Sequence, residues 1–399
     1  MAKAAAASIS HCSSEARGAR GKLTGVTEPT SPTSPRRTPR AQTLPDFPWD
    51  TIAEAKATAQ AHPEGMVNLS VGSPVDPVAP GIQLALAEAA GYPGYPQTIG
   101  TQQLRDTLVE SLERRYGVTG LSRESVLPVV GTKEAIAWLP TTLGLGEHST
   151  VAFPELAYPT YEVGAALAGA ASLRTDDVAG DADLIFINSP ANPTGRVLGV
   201  ERLRELVRAA RATGVILVSD ECYLGLGWDD EHPPVSILDP RVCDGDHTGL
   251  LAVHSLSKTS NLASYRAGFL AGDPALIAEL ALVRKHAGLM VPYPVQAAMV
   301  AACTDDDQEA LQKLRYASRR ATLMAAVRDA GLTIEHSEAG LYLWATRGED
   351  GRATVDWLAQ RGILVAPGDF YGPSGKNYVR IALTATDEDI AAAAARLRD

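Results

Sequence analysis

Six short runs of branched and aromatic apolar residues punctuate the middle of this chain: 126-VLPVV, 150-TVAFP, 184-LIFIN, 215-VILVSD, 251-LAVHS and 268-GFLAG. Near-continuous apolar character suits a strand buried on both faces, so these runs are predicted as strands of a mostly parallel sheet. Between them, 133-KEAIAWLPTTL, 160-TYEVGAALAG and 200-VERLRELVRAARATG repeat their apolar positions at helical spacing, the last ending at Gly214 as a helix C-terminus should. Strand and helix alternating in this way predict an α/β layer architecture. Past Gln296 the pattern changes: one long helical stretch runs through Ala330, then 340-GLYLWAT, 363-ILVAPG and 378-YVRIALT follow. That tail predicts a smaller α+β unit, and no internal repeat is visible.

Residues 1–42 break with all of this. They run through Ala, Ser, Thr, Pro and Arg, including Thr30-Ser31-Pro32-Thr33-Ser34-Pro35, with almost no large apolar side chains. Such a segment buries too little surface to offset its ordering entropy, which predicts a disordered extension. The Arg36-Arg37 pair is not followed by the apolar region of an export signal. The chain has 399 residues, beyond the roughly 250–300 at which one core stops growing, so at least two packed units are expected.

Composition narrows the function. Apolar residues make up 45% and charged residues 21%, ordinary for a globular protein, and no apolar run is long enough to span a bilayer. A net charge of −11 argues against a nucleic-acid surface, which needs concentrated Lys and Arg. Small molecules are the expected partners. Cys12, Cys222, Cys243 and Cys303 are far apart, fitting neither a zinc site nor a disulfide framework, so a reducing cytoplasm is expected. The eight histidines show no metal-ligand spacing, and no metal is expected.

In an α/β sheet, functional side chains collect where strands run into loops. Here 184-LIFIN runs into 188-NSPANPTG, 215-VILVSD ends in 220-DECY, and 251-LAVHS ends in 255-SLSKTSNLASYRAG. These segments resemble, in order and separation, the N-P-x-G, D-x-x-Y and S-x-S-K…R-x-G motifs of the class I and II aminotransferases. The resemblance covers roughly residues 44–399. It implies a pyridoxal 5′-phosphate (PLP) enzyme of fold type I, α/β, with a large domain built on a mostly parallel seven-stranded sheet and a smaller α+β domain. The implied division is 43–75 as an N-terminal segment contributing to the small domain, 76–300 as the PLP-binding domain and 301–399 as the small domain.

Residue roles follow from the resemblance and from the cofactor, a pyridine aldehyde with a phosphate tail that must be held, charged and oriented. Lys258 would carry the cofactor covalently and later shuttle a proton, which needs a lysine kept partly neutral by burial and nearby cations. Asp220 would pair with the pyridine nitrogen, and Tyr223 and Asn192 would hold the ring oxygen. Ser255, Ser257, Arg266 and the helix start at Thr132 and Lys133 would receive the phosphate, since a helix N-terminus favours anions. Tyr95 in 94-GYPQTIGTQQLR matches the tyrosine that reaches the phosphate from a partner subunit, implying a homodimer with shared sites. Tyr158 matches the aromatic stacked on the pyridine face, Arg380 the arginine that binds the substrate α-carboxylate, and Gly72 the glycine that lets backbone approach the substrate. Each match alone has an ordinary reading, as an Asn-Pro turn, a helix start or a loop tyrosine; together they point to one site.

Retention of lysine, aspartate and arginine favours an active enzyme over a PLP-binding regulatory protein, and a C–S lyase stands as a less favoured alternative. The fuller run, notably 155-ELAYPTYEVG, 220-DECYLGLGW and 289-LMVPYPVQAAM, resembles the N-succinyldiaminopimelate aminotransferases of actinobacterial lysine and cell-wall synthesis. That implies exchange of an amino group between N-succinyl-LL-2,6-diaminopimelate and 2-oxoglutarate. Aminotransfer on aspartate, alanine, an aromatic residue or unsuccinylated diaminopimelate is the alternative. The implied substrate carries a distant carboxylate, for which Lys133, Arg284 and Lys285 are candidate cations.

Overall fold

In the computed structural model, which describes residues 39–45 and 48–398, seven strands form the larger sheet. Their order is Val126–Val130, Ala267–Gly272, Leu250–Ser255, Ile216–Asp220, Leu184–Asn188, Thr150–Phe153 and Ala171–Arg174. The five from Leu250–Ser255 to Ala171–Arg174 are mutually parallel, and Ala267–Gly272 runs antiparallel to both its neighbours. Alternate residues serve opposite faces: Ile185, Ile187, Leu217 and Ala252 join one core, and Leu184, Phe186, Val218 and Leu251 join the other. Burial on both faces is why these runs read as continuously apolar. The strand absent from the sequence reading, Ala171–Arg174, is the sheet edge, where half-exposed residues leave no apolar run to see.

The strand directions bring particular ends together. Asn188 and Asp220 are register partners, and Ser255 pairs with Gly268 on the reversed strand. Val126–Val130 is reversed twice relative to Leu250–Ser255, so its end, which feeds helix Thr132–Thr142, lies at the same sheet edge. Arg266 immediately precedes the reversed strand and starts from that edge too.

A second, antiparallel sheet has the order Ala366–Pro367, Val379–Ala382, Tyr342–Thr346 and Thr333–Glu335, while Val67–Asn68 pairs in parallel with Ile363–Leu364. The run 363-ILVAPG therefore serves two sheets. A third core joins Ile52, Val67 and Leu69 to Leu323, Trp344, Ile381 and Leu397. From Thr43 the chain is one compact unit.

The single long helix expected from Gln296 to Ala330 is two helices, Tyr293–Thr304 and Asp306–Asp329. Asp305 is extended between them, and its carboxylate accepts from the Gln308 amide at 3.1 Å, a cap that starts the second helix. The D-x-x-Q spacing was the available signal. Arg319 on this second helix is buried and pairs with Asp76 at 2.7 Å and Asp387 at 2.6 Å, tying down the segment after Gly72. Before the compact unit, Arg40–Gln42 forms a short 3-10 turn. The disordered extension expected over residues 1–42 falls, up to residue 38, outside the described residues.

Candidate active site

The sheet edge where these strand ends meet borders a cavity of about 460 Å³. One wall is rich in hydrogen-bond donors. Helix Thr132–Thr142 opens onto it with Thr132 and Lys133 in its first turn, beside Ser255, Ser257 and Arg266. Gly131 takes φ +80°, and a Cβ there would stand 2.2 Å from Arg266 Nη2, so glycine is what lets the guanidinium close over the helix start. Unsatisfied helix amides, two hydroxyls and a cation make a seat for a compact anion such as phosphate.

Across the floor lies Asp220, buried at the end of its strand. Tyr161 donates to its Oδ2 at 2.7 Å and the Cys222 amide to its Oδ1 at 3.2 Å. Burial pushes the carboxyl up, and Cys222 and Tyr161 pull it down. Among the described residues no ion pair joins Asp220 to a cation, so this buried carboxylate fits a ligand that brings a positive charge, as a protonated pyridine nitrogen does.

Lys258, on the short helix Leu256–Thr259, reaches into the cavity and donates to the Gly72 carbonyl. Burial pushes its amine down, and Arg380 and Arg266 push the same way. Arg380, from strand Val379–Ala382, has the complementary anomaly. It is buried, donates to Asn192 Oδ1 at 3.0 Å and the Ser70 carbonyl at 2.7 Å, and meets no carboxylate among the described residues. A guanidinium held by neutral acceptors alone is a seat for a carboxylate. Asn192 turns its amide oxygen to Arg380, leaving Nδ2 to donate elsewhere. Tyr158 lines the wall with its hydroxyl pushed up to about 12 by burial.

This donor set fits PLP: a phosphate seat, a carboxylate without a cation and a neutralisable lysine share one cavity. The sequence profile described as "Aminotransferase class I and II" matches residues 64–397. The chain belongs to this aminotransferase family. Its cofactor is PLP. The aminotransferase is 65% identical over 359 residues to the probable aminotransferase Rv1178 of Mycobacterium tuberculosis, covering 89% of this chain and 85% of that one. It is 57% identical over 358 residues to the 4-dedimethylamino-4-oxo-anhydrotetracycline transaminase OxyQ of Streptomyces rimosus, covering 89% and 99%. Among solved structures, a probable N-succinyldiaminopimelate aminotransferase from Thermus thermophilus superposes with a TM-score of 0.79 at 29% identity, covering 88% of this chain and 99% of that one.

Every site residue expected from the sequence lines the aminotransferase's cavity except Tyr95, which is 95% exposed in the loop before helix Gln102–Tyr116. Two candidate cations are excluded from the cavity. Arg284 is buried against Glu134 at 2.8 Å, and Lys285 is exposed on helix Pro274–Ala287; neither lines it. Sequence reasoning missed Tyr161, Cys222 and Tyr342. Cys222 lies in the quoted 220-DECY, and its thiol reaches Thr132 Oγ1 at 3.4 Å. Tyr342 and Trp344 share one face of a strand that was read only for its apolar run. Among the described residues, no helix is long and apolar enough to cross a membrane, and no cluster of His, Cys, Asp and Glu side chains suits a metal ion.

Proposed function

We propose that this aminotransferase exchanges an amino group between N-succinyl-LL-2,6-diaminopimelate and 2-oxoglutarate, serving diaminopimelate and lysine formation in the cytoplasm. The observation that carries the reading is the pair of buried charges unmatched among the described residues in one cavity, Asp220 without a cation and Arg380 without a carboxylate, with Lys258 beside them. When bound, PLP supplies an electron-accepting ring that stabilises negative charge on the substrate Cα. Asp220 holds a proton on the ring nitrogen, and Tyr223 and Asn192 Nδ2 donate to the ring oxygen. The backbone amides of Thr132 and Lys133 at the helix start, with Ser255, Ser257 and Arg266, seat the phosphate, and Tyr158 covers the ring face. Arg380 receives the α-carboxylate, and Gly72 lets the backbone approach the substrate. Lys258 anchors the cofactor and, once free, moves a proton to and from Cα; burial lowers its pKa and so favours the neutral amine that this needs.

The succinylated substrate is supported by the resemblance of the quoted motifs and by the Thermus relative. With Arg284 and Lys285 turned elsewhere, Lys133 remains to meet the distal carboxylate: it is exposed, lines the cavity and has no carboxylate partner among the described residues. The exposed Tyr95 supports a homodimer in which it reaches the partner's cavity. A second reading is favoured by the 57% identity to OxyQ: a bulky cyclic ketone as acceptor, against the apolar wall of Trp49, Val71 and Ile136.

Single-turnover absorbance of the PLP-loaded enzyme, mixed separately with N-succinyl-LL-diaminopimelate, glutamate, aspartate and alanine, tests these readings. Fast conversion with the succinylated compound and glutamate, weakened by Lys133→Ala only for the former, is expected. Fast conversion with aspartate or alanine instead would discard the succinylated substrate and keep the aminotransferase.

A further inference from the structure

Tyr223 and Arg380, assigned above to the ring oxygen and the α-carboxylate, are both touched by a third residue. Tyr342 is buried at the start of strand Tyr342–Thr346 and lines the cavity. Its hydroxyl lies 3.0 Å from the Tyr223 hydroxyl, and the two rings meet edge to face with centroids 5.8 Å apart. The Arg380 guanidinium sits over its ring, with Cζ 3.9 Å from the centroid. A Cβ at residue 72 would stand 2.1 Å from the Tyr342 hydroxyl, so the phenol occupies the space that Gly72 leaves.

We propose that Tyr342 is a positioning residue of the transamination site, its hydroxyl setting the direction of the Tyr223 hydroxyl and its ring fixing the plane of the Arg380 guanidinium. This inference rests on the roles just assigned to Tyr223 and Arg380. A buried phenol has one hydrogen to give, so the direction of the Tyr342–Tyr223 bond decides what Tyr223 offers the cavity. The two hydroxyls share one bond in which either oxygen can serve as donor, so Tyr223 can give its hydrogen to the ring oxygen only while Tyr342 gives its own to Tyr223. On the other side, Arg380 Nε has no hydrogen-bond partner among the described residues, and the guanidinium plane is set by its two neutral acceptors and by stacking on Tyr342 and, more distantly, Tyr371. A purely packing role in the cluster with Leu226, Tyr316 and Leu341 would be filled equally by phenylalanine.

The test uses the full-length PLP-loaded enzyme and its Tyr342→Phe, Tyr342→Leu, Tyr223→Phe and Tyr223→Phe/Tyr342→Phe variants. Two quantities are read: the pH midpoint of the bound cofactor's absorbance change, and kcat and KM for glutamate. Tyr342→Phe should move the midpoint up, because a weaker donor at Tyr223 stabilises the ionised ring oxygen less, and should lower kcat about three- to tenfold with KM little changed. Tyr342→Leu should also raise KM roughly fivefold as the stacking is lost. On the Tyr223→Phe background, Tyr342→Phe should change midpoint and kcat no further. An unchanged midpoint and kcat in Tyr342→Phe, or effects that add fully to those of Tyr223→Phe, would overturn the proposal. Should Tyr223→Phe itself be silent, the assignment of Tyr223 falls first and takes this inference with it. The phenylalanine variants keep the rings, so the test stands even if the leucine variant does not fold.

Discussion

Tyr161 donates its phenolic hydrogen to Asp220 Oδ2 at 2.7 Å from behind the cavity floor. The phenol belongs to the first turn of helix Thr160–Ala168 and stacks on Phe186, with centroids 4.8 Å apart and planes 17° from parallel. That stacking fixes the ring, and the ring fixes the carboxylate.

Tyr161→Phe keeps the ring and removes the donor. Hydrogen bonds to charged groups contribute about 1.5–3 kcal/mol, of which part is felt when the cofactor binds, so affinity for PLP should fall roughly tenfold. Absorbance titration of the cofactor-free enzyme measures this; an unchanged Kd would remove Tyr161 from the support of Asp220.

Arg380→Lys keeps the charge but loses the planar fork and the stack on Tyr342. Two charge-assisted bonds to a carboxylate give way to one, and KM for glutamate should rise roughly ten- to hundredfold. Reaction with a simple amine that lacks the carboxylate should change little. Equal losses for both would mean that Arg380 supports the structure and not the substrate.

Glu221, the neighbour of Asp220, gives a prediction about pH. Its Oε1 accepts from the Ile237 amide at 2.7 Å, and its Oε2 faces His254 Nε2 at 3.6 Å. Burial pushes Glu221 up from 4.5 to about 7 and His254 down from 6.5 to about 3. A raised carboxyl contributes stability that is fully present below pH 4.5 and lost as pH rises through about 7, whereas the depressed histidine contributes stability present above pH 6.5 and lost as pH falls toward 3. Glu221→Gln removes only the first effect. The variant should therefore gain in Tm relative to the parent as pH rises from 4.5 to 7, and parallel Tm curves across that window would refute the assignment.

Much of this site could be read along the chain because its parts are local. The loops 188-NSPANPTG, 220-DECY and 255-SLSK each follow an apolar run within a few residues, and a parallel sheet brings such ends to one edge. Edge strand Ala171–Arg174 escaped because exposure erases its pattern. Tyr161 and Tyr342 escaped for a different reason: their partners Asp220 and Tyr223 lie 59 and 119 residues away, and no local pattern marks a hydroxyl whose purpose is set by so distant a contact.

By itself the sequence determined the alternation of strands and helices, the family and the residue types that line the cavity, because apolar periodicity and strand-end motifs are properties of short stretches. Only the tertiary structure decided which charges are matched. Arg284 and Arg380 are both buried, yet Arg284 finds Glu134 at 2.8 Å and Arg380, among the described residues, finds only neutral oxygens. A buried guanidinium must be paired, and whether the protein or a substrate provides that pair depends on what the fold brings within 3 or 4 Å of it, roughly the reach of an ion pair.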